Sequence, residues 1–160
     1  MSENCEMPQP TEQHRLVLGG VGTWNVDCTY WMGPQEMKCR AKETVEAVGG
    51  FWTVSRFESD FMGMPFVGRC TLGWDGMANE FVGVWVDSMS PHMFAMRGTF
   101  DAAKHVLTMK ARGPNMQTGE MTDFRMVTTF RDADHFAFDM FMALPGADDV
   151  HVFHYEYERA

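Results

Sequence analysis

After Gly22, apolar and polar residues alternate with a period of two along most of the chain. In HFAFDMFMAL at 135–144, Phe136, Phe138, Met140, Met142 and Leu144 stand against His135, Ala137, Asp139, Phe141 and Ala143. Successive side chains on a strand point to opposite faces, so this period predicts half-buried β-strands. The stretches it marks are Thr23–Met32, Cys39–Val48, Phe51–Phe61, Phe66–Trp74, Phe81–Ser88, Met93–Phe100, His105–Arg112, Met121–Arg131, His135–Leu144 and Val150–Arg159. Turn residues separate them: Gly33-Pro34, Gly49-Gly50, MGMP, Asp75-Gly76, MSP, DAAK, Gly113-Pro114, DAD and PGADD. Such punctuation between alternating runs is hairpin chemistry.

Helical spacing occurs only ahead of these strands. Thr11–Leu18 follows Pro10, offers Thr11 as an N-cap and stops at Gly19-Gly20, so one short helix is expected there. Residues 1–10 read as a flexible arm and 11–160 as one domain. About ten strands in unbroken succession form an up-and-down meander. The connections are too short for the crossovers of a parallel sheet. A flat meander of that length exposes two edges, and closure removes them. The expected fold is all-β: an antiparallel up-and-down barrel of about ten strands with a short N-terminal helix.

Five strands show plainly which row faces inward. Besides the 135–144 row, these are Phe94, Met96 and Phe100; Leu107 and Met109; Phe124, Met126 and Phe130; and Phe153, Tyr155, Tyr157 and Arg159. Two strands are apolar on both faces: Phe51, Phe57 and Phe61 compete with Trp52 and Val54, and Phe81 and Trp85 with Val82, Val84 and Val86. A two-sided strand suggests a covered outer wall, by the helix or by a second subunit in a homodimer. In the first strand, GGVGTWNV places Trp24 inward beside the closing strand. There Arg159 can stack on the indole and plug the barrel end, a contact that contributes about 1–2 kcal/mol when desolvated.

Composition narrows the function. The 160 residues carry a net charge of −9, which argues against nucleic acid and anionic membrane surfaces as partners. No apolar run is long enough to span a bilayer, and MSENCEMPQP lacks a signal segment, so a cytoplasmic protein is expected. Cys5, Cys28, Cys39 and Cys70 form no CxxC pair and read as buried thiols, although Cys28 and Cys39 can meet across a hairpin. The apolar residues include 16 Met and 13 Phe. Methionine adapts to irregular apolar surfaces, which suits a compliant cavity.

The order of a short helix, G-x-W on the first strand, a meander and a late arginine resembles the lipocalin-like (calycin) superfamily. More narrowly, HRLVLGGVGTW, GGFWTVSRFESDFMGMPFVGRCTLGWD, FVGVWVDS, RGTFD and YEYER resemble bacterial family 1579 of the unknown-function series, over nearly the whole chain from residue 12. One departure is Trp74, where the family pattern has tyrosine in GYD. The resemblance implies a lipocalin-like barrel and brings no activity or catalytic residues with it.

Recognisable catalytic motifs are missing: there is no G-x-S-x-G elbow and no G-x-x-x-x-G-K phosphate loop. His151 and His154 are three apart, which on a regular strand sends them to opposite faces, so no metal site is expected. No cofactor is expected either. A single inward histidine could ligate haem iron, and His151 is the best-placed candidate. The leading expectation is a barrel that binds a small apolar molecule. Its wall would be Trp85, Met96, Met126, Phe138, Met140 and Tyr155, with Arg56 as polar anchor. Arg56 and Glu58 share a face, with Asp60 following and Glu43 on the preceding strand. Turned outward, these groups would form only a surface network. Two alternatives stand beside binding. An isomerase, cyclase or lyase would use lumen-facing acid–base groups such as Glu58 with Tyr155 or Asp87. An oligomeric interaction protein would have a solid barrel.

Overall fold

A computed structural model describes residues 6–160. Cys5 and the first half of the expected arm lie outside the described residues. Residues 6–10 are exposed and carry no regular structure, with Pro10 resting against Gly50. Helix α1 spans Glu12–Leu18. Ten strands follow: β1 (Gly22–Met32), β2 (Gln35–Val48), β3 (Trp52–Phe61), β4 (Met64–Asp75), β5 (Glu80–Asp87), β6 (Ser90–Asp101), β7 (Val106–Pro114), β8 (Met121–Phe130), β9 (His135–Met142) and β10 (Val150–Arg159). Each pairs antiparallel with the next, and β1 pairs with β10 to close the barrel. No helix among the described residues is long and apolar enough to cross a membrane.

Strands β2, β4 and β6 start two or more residues earlier than alternation predicts, β6 at Ser90 in place of Met93. β2 begins at Gln35 and β4 at Met64, because Met32 pairs directly with Gln35 and Phe61 with Met64 around two-residue turns. Such turns need left-handed backbone, supplied by Gly33 (φ 61°) and by Met62 and Gly63 (φ 54° and 81°). Gln35–Lys38 is nearly all polar, so its hydrophobic pattern is silent while its turn dictates pairing.

Both two-sided strands resolve. β3 turns Thr53, Ser55 and Phe57 inward, all buried, and leaves Trp52 and Val54 on the outside. β5 turns Phe81 and Trp85 inward and Val82, Val84 and Val86 outward. The interior holds two packed clusters. One centres on Trp24, Val26, Cys28, Tyr30, Phe57 and Tyr157; the other on Phe81, Met96, Leu107, Met109, Ala111 and Met126. Trp85 and Phe138 pack against both and join them.

A seven-residue helix is too short to persist alone, so tertiary contacts must hold it. Val17 enters the second cluster, which places α1 across the barrel end nearest Trp24 and Phe81. His14 is buried, packs edge-on against Phe51 at 5.0 Å, and accepts the Thr11 backbone N–H at 2.9 Å through Nδ1. That bond satisfies an amide at the helix start.

β6 and β7 part company above their common base. Their ladder covers only Arg97–Asp101 against Val106–Lys110. Beyond it, His92 Nε2 lies 3.0 Å from the Arg112 carbonyl, bridging the gap with a side chain. An open groove of about 770 Å³ lies there, lined by outer residues such as Met93, Ala95 and Lys110 and by Ala111 and Phe124, whose strand positions face inward.

Candidate ligand site in the barrel lumen

Trp85, Met96, Met126, Phe138, Met140 and Tyr155 all occupy inward positions, and all but Tyr155 pack into or against the cluster around Phe81. Tyr155 packs with the other cluster and stacks on Phe57 at 5.8 Å, so side chains from β3 and β10 meet across the lumen. The wall is therefore aromatic at one side and rich in methionine at the other. Nothing charged interrupts the methionine side.

Arg56 corrects the expectation. It follows buried Ser55 and precedes buried Phe57, so alternation sends it to the outer wall, where it pairs with Glu58 at 2.8 Å. Both side chains are about half exposed, and the Arg56 bond holds the Glu58 carboxyl below its ordinary range. Glu58 with Tyr155 is thus no catalytic pair, since the barrel wall separates them. Asp87 sits at the end of β5, where its carboxylate accepts the Trp85 indole N–H at 2.9 Å and the Met89 amide at 2.9 Å. It is engaged in positioning Trp85.

The carboxylate that reaches the barrel interior is that of Glu43. On β2 it pairs with Trp24 and Phe57, both inward. The residue is half-buried, but its carboxyl end reaches the interior, with Ser55 Oγ at 2.5 Å and the Tyr157 phenol beside it. Burial raises its pKa above the ordinary 4.5, against the hydrogen bonds from Ser55 and Tyr157. Burial also raises the pKa of Tyr155 and Tyr157, and pushes the Cys70 thiol to about 12. Burial thus favours the protonated form of each of these groups, which gives the interior hydrogen-bonding capacity. Two residues along β3 from Phe57, Ser59 Oγ is buried with no hydrogen-bond partner.

A carboxyl whose folded pKa exceeds its unfolded one binds its proton more tightly in the native state. Its contribution to stability is complete below about pH 4.5 and is lost as pH rises toward the folded value, with a limiting slope of about 1.4 kcal/mol per pH unit. Glu43→Gln keeps the shape and cannot titrate. The stability of this variant relative to wild type is expected to rise between pH 5 and pH 8 in urea unfolding. Parallel pH profiles would place the carboxyl in water instead.

Trp24 and Arg159 are direct neighbours across the β1–β10 seam, with the guanidinium 4.2 Å from the indole. Arg159 also donates to the carbonyls of Gly19, Val21 and Ala133 and to Asp134. A Cβ on Gly22 would lie 2.6 Å from Arg159 Nη1, which explains glycine at that position. Cys28 and Cys39 are cross-strand partners and remain free thiols.

His151 does not face the lumen. A β-bulge between His151 and Phe153 inserts one residue, so His151 and His154 share the outer face although three apart. The His151 ring lies between Trp31 and Phe141, at 4.5 and 4.6 Å. Haem inside the barrel therefore finds no ligand in His151. The sequence pattern placed Glu43 only beside Arg56 and Glu58 and gave no sign of Ser59. The usable signal was a carboxylate in the row Met37, Cys39, Ala41, Glu43 and Val45, which is otherwise apolar.

A closed ring of ten antiparallel strands, a helix across one end and a carboxyl reaching into an apolar lumen define a lipocalin-like barrel. The chain belongs to the family described as "Protein of unknown function (DUF1579)", whose model matches residues 9–159. No curated protein matches it. Among solved structures, it is similar to Rv2717c from M. tuberculosis, with a TM-score of 0.67 at 12% identity over 95% of this chain and 99% of that one. A redesigned β-barrel aligns with a TM-score of 0.46 at 10% identity, over 96% of this chain and 99% of that one.

Proposed function

We propose that the barrel binds a small, uncharged, mainly apolar molecule that carries one hydrogen-bonding group. The observation that carries this reading is the buried Ser59 hydroxyl, which faces an apolar lumen without a protein partner. A buried polar atom left unpaired costs about 1–3 kcal/mol, so a hydroxyl kept there calls for a compensating role. A ligand oxygen or N–H would pair with Ser59, within the same lumen that the Glu43 carboxyl enters. Met96, Met126 and Met140 would repack around the apolar body, as thioether chains do readily. The opening between β6 and β7 offers a route in, with Phe124 and Ala111 at its inner side. The negative net charge and the cytoplasmic setting proposed for the chain both suit a neutral metabolite.

Ser59→Ala separates a ligand role from a packing role. The free variant is expected to be about 1 kcal/mol more stable than wild type, because the unpaired hydroxyl is gone. Its affinity is expected to fall about 2- to 10-fold, the worth of one lost hydrogen bond. Tryptophan fluorescence titrated with 1-decanol reads the affinity, and native mass spectrometry of freshly purified protein reads any retained molecule. A titration that never saturates, together with a protein that carries nothing, would defeat the proposal.

A second reading is favoured by the outer wall. Val54, Thr71, Val84 and Ala95 lie side by side across β3 to β6, with Trp52 adjacent to Val54's end of the row. Such a face suits a homodimer. Light scattering that returns a monomer mass at micromolar concentration would remove it.

A further inference from the structure

The outer wall at β9–β10 carries a second constellation, separate from the lumen. Asp139 Oδ1 lies 2.8 Å from His151 Nε2 and 2.7 Å from His154 Nδ1. One donor atom from each of the three residues lies within 4.8 Å of the others. We propose that Asp139, His151 and His154 form a binding site for a divalent transition metal of the zinc type.

Three observations converge on it. The donor set is two imidazoles and a carboxylate, which suits zinc and its first-row neighbours and not the all-oxygen preference of calcium or magnesium. The bulge is the device that makes the set possible, because without its extra residue His151 and His154 would point to opposite sides of the wall. The surroundings then hold the rings. His154 Nε2 lies 2.9 Å from Glu156 Oε1, and Glu156 is itself held by Arg131. A carboxylate on the remote nitrogen of a ligating histidine fixes the ring orientation and raises its basicity. His151 is clamped between Trp31 and Phe141, which limits rotation of its ring.

Loading requires a small rearrangement. Zinc bonds of about 2.0–2.2 Å in tetrahedral geometry set neighbouring donors roughly 3.3 Å apart, so the Asp139 carboxylate would withdraw by about half an ångström. The ion replaces the protons that now join the rings to the carboxylate, and those protons leave to solvent. Three protein ligands on a partly exposed wall leave a fourth position for water or an exogenous donor. A site closed by four protein ligands would read as structural; this one is open.

The full-length chain titrated with zinc chloride by calorimetry tests the proposal. One zinc per chain is expected, with binding abolished in His151→Ala/His154→Ala and weakened about 10- to 100-fold in Glu156→Gln, which touches no metal. Ring-proton NMR of the unmodified protein guards against a variant that fails to fold. Zinc is expected to shift the His151 and His154 signals and to leave that of His135 in place. No stoichiometric binding, binding undiminished in the double variant, or shifts confined to other histidines would each overturn the assignment.

Discussion

Alanine in place of Trp24 is expected to lower the unfolding free energy by about 3–5 kcal/mol, enough to remove much of a small domain's stability. The indole is 2% exposed and meets Phe136 and Tyr157 edge-on at 4.8 and 6.4 Å. Its Nε1 donates to the Gly20 carbonyl at 2.8 Å, and Arg159 lies over its ring. Truncation therefore leaves a cavity and an unpaired carbonyl, and it takes the stacking partner from a guanidinium that ties α1 and the β8–β9 turn to the closing seam. The cavity is the larger part. Trp24→Phe should restore most of the loss, because it refills the space without the N–H. A double-mutant cycle with Arg159→Met should return a coupling of about 1–2 kcal/mol. A loss below about 1 kcal/mol on urea unfolding of Trp24→Ala would mean that the seam is held elsewhere.

That the seam was readable in advance follows from what a strand pattern records. Trp24 and Arg159 stand at inward parity on the first and last strands, and any closed meander must bring those strands together. The wall residues were legible for the same reason: Met96, Met126, Phe138 and Met140 each sit in a row whose opposite face is largely polar or small. Arg56 was misplaced because β3 offers aromatic residues on both faces, and parity alone does not say which set faces in. Ser55 and Thr53, small and polar, turned out to be the buried companions of Phe57. Their hydroxyls can be satisfied inside, whereas a guanidinium cannot be desolvated cheaply.

The interior polar groups were harder to see because β2 looks like a surface strand. Lys38, Arg40, Lys42 and Thr44 dominate its appearance, and Glu43 hides among them although it shares parity with Cys39 and Ala41. The histidines failed for a different reason. A bulge changes parity by one, and nothing in VHVFHYEYER announces where the extra residue falls. Only the register of β10 against β9 reveals it, through the step from His151–Phe141 to Phe153–Met140. Local pattern thus carried the architecture, while both candidate chemical sites depend on particular departures from pattern.

Gly98→Ala is the substitution expected to injure the barrel wall most directly. A Cβ on Gly98 would lie 1.9 Å from the Thr108 carbonyl oxygen and 2.7 Å from the Met109 Cα. Both are backbone atoms, so no side-chain rotation relieves the overlap, and β6 must move away from β7. Glycine permits this close approach where the strands coil sharply, beside the last ladder pair, Arg97 with Lys110. Forcing them apart is expected to cost about 3 kcal/mol. Gly76→Ala serves as the control, since a Cβ there meets only the Trp74 Nε1 at 3.7 Å and should change stability by about 0.5 kcal/mol or less. Because the ladder ends at the mouth of the groove, hydrogen exchange at Leu107–Lys110 should accelerate in Gly98→Ala more than at β1–β2. Faster exchange confined to that span would mark the β6–β7 opening as the weak side of the wall, the side through which a ligand would enter. Equal stability for the two variants would show that β6 can yield there at no cost, and the rigid-wall account of the opening would fail.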